Sequence, residues 1–262
     1  MSEVPLVGGD VHIRENVVVR VGDTVRRPVG PHTPAVHALL RHFETVGFDG
    51  APRACGLDER GREILSFVEG EPGLAPVPAD DEVVEALGRL LRLMHEAQHG
   101  FVAPADAHWH DGPLRPPPGD VICHNDLFWP NVVFRRGVPV ALIDWDLAVP
   151  APRLYDLASA ANFWVPLAHD ERAVRWGLSP TRHGERLRLL CDGYGLARTE
   201  RLGLLDVVAH RNAMGFEIHR LWGGVERRSG WREMWDAGSG DALLARNAWF
   251  EAHRADLLAF LR

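Results

Sequence analysis

The spacing of hydrophobic positions changes along the chain, and each change marks an element. Residues 5–28, "PLVGGDVHIRENVVVRVGDTVRRP", hold β-branched runs such as "VVVRV" broken by "GD", which predicts short strands and a turn. From Thr33 the period switches. Val36, Leu39, Leu40 and Phe43 recur at helical spacing, with Thr33 placed to cap, Pro34 suited to the first turn, and Gly47 and Gly50 to end the helix. "APRACGLDERGREILSFVEGEPG" reads as a hairpin turning at "DERG". The Pro/Gly-rich "GEPGLAPVPAD" is a connector, and "DEVVEALGRLLRLMHEAQ" after it is an amphipathic helix with Val84, Leu87, Leu91 and Met94 on one stripe. The loop "DGPLRPPPGD" leads into short strands "VIC", "NVVF" and "VALID" around the turn "RRGVP". Beyond residue 155 the pattern predicts helices and loops to the end.

This order, strands with one helix, a connector, a helix, a short strand pair and then helices, predicts an α+β protein of two unequal lobes with a cleft between them. The boundary falls near residue 70, giving lobes 1–70 and 71–262. The length of 262 residues suits that division. No apolar stretch approaches a membrane span, and "MSEVPLVGGD" has no basic region followed by an apolar one, so neither a span nor a secretion signal is expected.

Composition narrows the chemistry. A net charge of −7 argues against non-specific nucleic-acid binding. Cys55, Cys123 and Cys191 are isolated, so no disulfide framework or cysteine-based zinc site is favoured, and a reducing cytoplasm is expected. All 29 basic residues are arginine. Schiff-base chemistry and a phosphate-binding lysine are therefore excluded; a cation fixed on a phosphate must be an arginine or a metal. Fourteen histidines make no zinc signature in their spacing.

Candidate chemistry concentrates in "VICHNDLFWPN", residues 121–131, where His124, Asp126 and Asn131 follow a short apolar run; a second run, "VALID", ends in Asp144. Phosphoryl transfer from a nucleotide uses such a set. One carboxylate accepts the proton of an attacking hydroxyl, while another carboxylate and an amide oxygen hold magnesium on the phosphates. The pattern His124, Asp126, Asn131, then Ile143, Asp144, Trp145, Asp146, then Asp156 before Leu157 and Ala158 resembles the aminoglycoside phosphotransferase-like family of the protein-kinase-like superfamily.

That resemblance implies a bilobal kinase-like fold with a small β-rich N-lobe and a larger helical C-lobe. It implies ATP and Mg²⁺ as cofactors and a small-molecule hydroxyl as acceptor. Asp126 is then the catalytic base. Asn131 and Asp144 are the magnesium ligands. Asp156 holds the catalytic loop through backbone N–H bonds, His124 packs within it, and Asp146 is either a supporting group or solvated. Gly8 and Gly9 stand where the family has a turn over the phosphates, though a plain turn fits them equally. Ser66, Phe67 and Val68 stand at the adenine-binding hinge.

The departure is on the third strand. The family uses a strand lysine oriented by a glutamate of the next helix; here the strand reads "TVRRP", so Arg26 or Arg27 must substitute, and alternation admits only one to the cleft. The only acid of the following helix is Glu44, near its far end. The expected activity is transfer of the γ-phosphoryl group of ATP to an aminoglycoside or other antibiotic-like hydroxyl. An immunity or binding protein with little catalysis, or a kinase for a sugar, choline or homoserine-like alcohol, stands as the alternative.

Overall fold

A computed structural model of the protein describes residues 2–6, 18–73, 80–110, 116–168, 174 and 182–262. Its first sheet is antiparallel and five-stranded, in the order β1 (Val4–Pro5), β2 (Val19–Val21), β3 (Thr24–Arg27), β5 (Glu63–Ser66), β4 (Ala54–Leu57). The β4–β5 turn is closed by Asp58, whose carboxylate accepts the Arg60 and Arg62 N–H groups at 2.9 Å each, which is why "DERG" turns. The β3–β5 register sets Arg27 directly opposite Glu63. Helix α1 (Thr33–Thr45) buries Val36, Leu39, Leu40 and Phe43. Thr33 is its first residue rather than its cap. Its hydroxyl accepts the Gly30 N–H at 2.9 Å, tying the entry turn instead of the helix N–H groups.

Strand membership then changes. Strand β6 (Glu71–Pro72) pairs with β8 (Val132–Arg135), and β8 with β9 (Val138–Leu142). Arg136 and Gly137, both at positive φ (52° and 76°), make the two-residue β8–β9 turn that matches strand twist. "VIC" forms β7 (Val121–Cys123), but it does not join that hairpin. It pairs with β10 (Val149–Ala151), a strand hidden in the sequence because "VPA" is short and carries a proline. The segment between β7 and β8 is thus held at each end by a different sheet.

The rest is helical: α2 (Asp81–Glu96), α3 (Leu154–Trp164), α4 (His183–Tyr194), α5 (Arg198–Ile218) running into a π-helical turn at His219–Val225, α6 (Trp231–Asp236) and α7 (Ser239–Leu261). The α2 stripe Val84, Leu87, Leu91 and Met94 is fully buried. Gly88 of α2 and Gly193 of α4 let the two helices touch: a Cβ on Gly88 would meet the Leu190 carbonyl oxygen, and one on Gly193 the Glu85 carbonyl oxygen. Among the described residues, no helix is long and apolar enough to cross a membrane.

Candidate active site

Residues 124–131 cross between the two sheets, and buried groups fix their path. Asp156, in the first turn of α3 and wholly buried, accepts the His124 N–H at 3.0 Å and the Asn125 N–H at 2.7 Å. His95 of α2 lies 3.0 Å from the same carboxylate. Burial pushes the Asp156 carboxyl up, but the His95 hydrogen bond and the charges and N–H groups around it prevail and hold it below its usual value. His124 uses both ring nitrogens. Nδ1 accepts the Asp126 N–H at 3.3 Å, so Nε2 carries the proton toward the Ile143 carbonyl at 2.9 Å. Burial lowers its pKa against the pull of Asp156, consistent with that neutral tautomer. The ring also meets Trp145 edge-on at 4.7 Å, and Trp145 meets Phe43 of α1 at 5.6 Å, so packing ties the loop to the first region.

Asp126 and Asn131 lie side by side. The Asn131 amide nitrogen donates to Asp126 Oδ2 at 2.8 Å and to its backbone carbonyl at 3.1 Å. Both partners are acceptors, so only the nitrogen can face them, and the amide oxygen is left for another ligand. Asp144 comes to the same place through the backbone: the Ile143 N–H donates to the Asn131 carbonyl at 2.9 Å. Asp144 is left-handed, at φ 64°, as is Asn125 at φ 63°, a conformation that Asp and Asn tolerate better than most residues.

Across the cleft stands Arg27, only 7% exposed. Its Nη1 donates to Asp144 Oδ1 at 3.0 Å, its Nη2 to Asp146 Oδ1, and its Nε lies 2.9 Å from Glu63 Oε1 with the N–H off the line, a Coulombic contact. His32 Nε2 is 3.2 Å from Asp146, and His37 Nε2 is 2.9 Å from Glu63 Oε2. Burial pulls the Arg27 pKa down, yet Asp144, Asp146 and Glu63 together hold it above the ordinary arginine value. Three carboxylates around one guanidinium leave excess negative charge, which suits a hard divalent cation. Asp144 and the Asn131 amide oxygen are donors of the right kind for it. Arg26 points elsewhere: it bonds Thr24 and lies 3.8 Å from Asp58. In a second donor group, His95 and Asp156 are already taken up by the loop bonds above, while the Cys123 thiol donates to the Pro152 carbonyl at 3.4 Å and burial pushes its pKa well up.

Gly8 and Gly9 lie outside the described residues. At the expected hinge residues, the Ser66 N–H donates to the Arg53 carbonyl and the Phe67 N–H to the Asp23 carbonyl, while Arg20 stacks 3.6 Å over the Phe67 ring. In the helical region, Asp192, Asp206, Glu217 and Asp236 each pair with a separate arginine rather than clustering. Trp222 and Trp231 pack edge to face, and Trp235 lies against Gly223, Gly224 and Gly240, so this aromatic group serves packing. Three site residues escaped the sequence reading. Arg211 of α5 donates to the side-chain and backbone oxygens of Asn125 at 2.9 and 2.8 Å; Glu63 flanks Arg27, and His37 backs Glu63. Only the β3–β5 register pointed to Glu63, and nothing local pointed to Arg211.

Residues 105–190, which hold Asp126, Asn131, Asp144 and Asp156, match the phosphotransferase enzyme family. Over 210 residues, 78% of each chain, the protein is 41% identical to the trifolitoxin immunity protein of Rhizobium leguminosarum bv. trifolii. Its fold resembles an amicoumacin kinase solved with AMP-PNP, Ca²⁺ and Ami (TM-score 0.67, 12% identity, 95% of this chain and 88% of that one). It also resembles a choline/ethanolamine kinase family protein from Mesorhizobium loti (TM-score 0.63, 16% identity, 100% and 92%). The chain belongs to the same family as the trifolitoxin immunity protein, carries the phosphotransferase enzyme family's match over residues 105–190, and has the α+β bilobal, kinase-like fold of these solved structures.

Proposed function

We propose that the protein is an ATP- and Mg²⁺-dependent phosphotransferase that moves the γ-phosphoryl group to a hydroxyl of a small toxin-like or antibiotic-like molecule in the cytoplasm. Residues 1–70 would carry the nucleotide, and 71–262 the catalytic loop and acceptor site. The observation that carries this reading is the Asp126–Asn131 pair, with Asp144 brought alongside by the Ile143–Asn131 backbone bond. A protein without chemistry has no evident need for that arrangement.

Asp126 takes the proton of the acceptor hydroxyl as its oxygen bonds to the γ-phosphorus. The bond to the β–γ bridging oxygen breaks and ADP leaves with that electron pair. Asp144 and the Asn131 amide oxygen would hold the divalent ion, which would supply positive charge to offset that of the phosphates. Arg27 is the protein cation facing it. The likeness to an immunity protein and to antibiotic and choline/ethanolamine kinases supports a small hydroxyl-bearing acceptor. The test is ADP release across a panel of toxins, antibiotics and metabolic alcohols, with Asp126→Ala as blank. Release with one acceptor class and none from the variant is expected; no release with any of them rejects the reading.

A second reading is an immunity protein that binds without catalysis. Arg27 motivates it, because the guanidinium already engages both Asp144 and Asp146. Thermal-shift titration separates the two. Stabilisation by ATP only with Mg²⁺ favours the enzyme; no response to either favours the binder.

A further inference from the structure

The family pattern orients its strand cation with a glutamate from the next helix, and α1 has no acid in reach. Its one acid, Glu44, is at the far end, about half exposed and 3.7 Å from Arg53. We infer that Glu63 of β5 is the positioning carboxylate for the phosphate-binding cation, and that His37 of α1 holds Glu63 in turn. This rests on the phosphotransferase reading above. It moves the acid from a helix to a strand and leaves the helix a histidine.

Three observations carry it. First, Arg27 and Glu63 are cross-strand partners, so both side chains leave the same face of the sheet. Second, the chain of contacts is continuous and buried. Arg27 Nε is 2.9 Å from Glu63 Oε1, Glu63 Oε2 is 2.9 Å from His37 Nε2, and all three side chains are at least nine-tenths buried. Third, the geometry explains the arginine. Its three nitrogens each meet a different carboxylate, Glu63, Asp144 and Asp146, and a lysine has one nitrogen to offer. The roles then divide. Glu63 is a fixed anchor on Nε, cross-braced from α1. Asp144 is the exchangeable partner: once it turns to a divalent ion, the Nη1 it now holds is released toward phosphate.

The probe is AMP-PNP with Mg²⁺, titrated by calorimetry into wild type, Glu63→Gln, His37→Gln and His37→Leu, alongside steady-state kinetics and thermal melting. Glu63→Gln keeps the shape and removes the charge; its nucleotide affinity should fall about tenfold, with KM for ATP rising more than kcat falls. His37→Leu should weaken binding similarly, and His37→Gln, which restores a donor near the Nε2 position, should recover most of it. A purely structural role would lower the melting temperature in all three and leave the Kd of the folded fraction unchanged; that result overturns the inference. If Glu63→Gln does not fold, the His37 pair decides: equal affinity in Gln and Leu variants rejects the relay. A wild-type protein that binds no nucleotide sinks the phosphotransferase reading itself, and the nucleotide role of the relay with it. Normal wild-type binding with indifferent variants sinks the relay alone.

Discussion

The two walls of the cleft contrast. The wall made by residues 124–131 carries the family's motif residues, and much of its support comes from α3, where Asp156, Ser159 and Trp164 each hold a loop group, with Arg211 of α5 reaching Asn125 from farther along the chain. The opposite wall keeps the charge but changes the parts. On the proposed reading an arginine stands for a lysine and a strand glutamate for a helix glutamate; Arg27 contacts Glu63, and Glu63 contacts His37 of α1. The proton-accepting side has little freedom, because a carboxylate must sit within hydrogen-bond reach of the hydroxyl it deprotonates. The phosphate-facing side needs only positive charge in a defined place, and several side-chain sets supply that.

Breaking the contrast on the wall of residues 124–131 should have the largest effect. Asp126→Asn should lower turnover by about 10²- to 10⁴-fold while AMP-PNP binding stays within a factor of about two, since general-base loss falls on the chemical step. Single-turnover kinetics check it; equal turnover removes Asp126 from the mechanism. On the other wall, Arg27→Ala would leave Glu63, Asp144 and Asp146 facing one another without their shared cation. Removing one partner of a buried ion group costs about 3–5 kcal/mol, so urea denaturation should show a loss of that order, partly restored by millimolar Mg²⁺ if the metal reading holds. A loss below about 1 kcal/mol would mean water already solvates this cluster.

Packing between helices should come next. Gly193→Ala forces a methyl into the Glu85 carbonyl and should cost about 1–3 kcal/mol with kinetic constants little changed, a control for effects that reach the site only through stability. The gentlest perturbation is pH. His124 and Asp156 both have pKa values lowered by folding, so the unfolded chain takes up protons first and stability falls on acidification. The fall starts below the ordinary histidine value of 6.5 for His124 and below the aspartate value of 3.8 for Asp156. The urea midpoint should decline between pH 7 and 5, and His124→Asn should flatten that part of the curve. A wild-type midpoint constant across the range would contradict the burial of the neutral ring.

Much of this was readable beforehand, for local reasons. The α1 and α2 stripes, the "DERG" turn and the 124–146 motif are set by neighbours within a few residues, where period and turn chemistry act. The reading failed where partners are remote. "VIC" was grouped with the wrong strands because nothing in "VPA" announces β10. Arg26 and Arg27 could not be told apart until β3 had a register with β5. Arg211 bonds Asn125 from 86 positions away, and no local pattern anticipates it.

By itself the sequence determined the residue inventory: two acids and an amide at set spacings, and arginine as the only permanent side-chain cation. Tertiary structure alone decided which arginine enters the cleft and which acid holds it. Charge choice is fixed by composition, but charge placement depends on pairing between strands 36 residues apart. That register puts Leu65 of β5 in the core with Val36, Leu39 and Leu40 of α1, a contact that neither strand specifies alone.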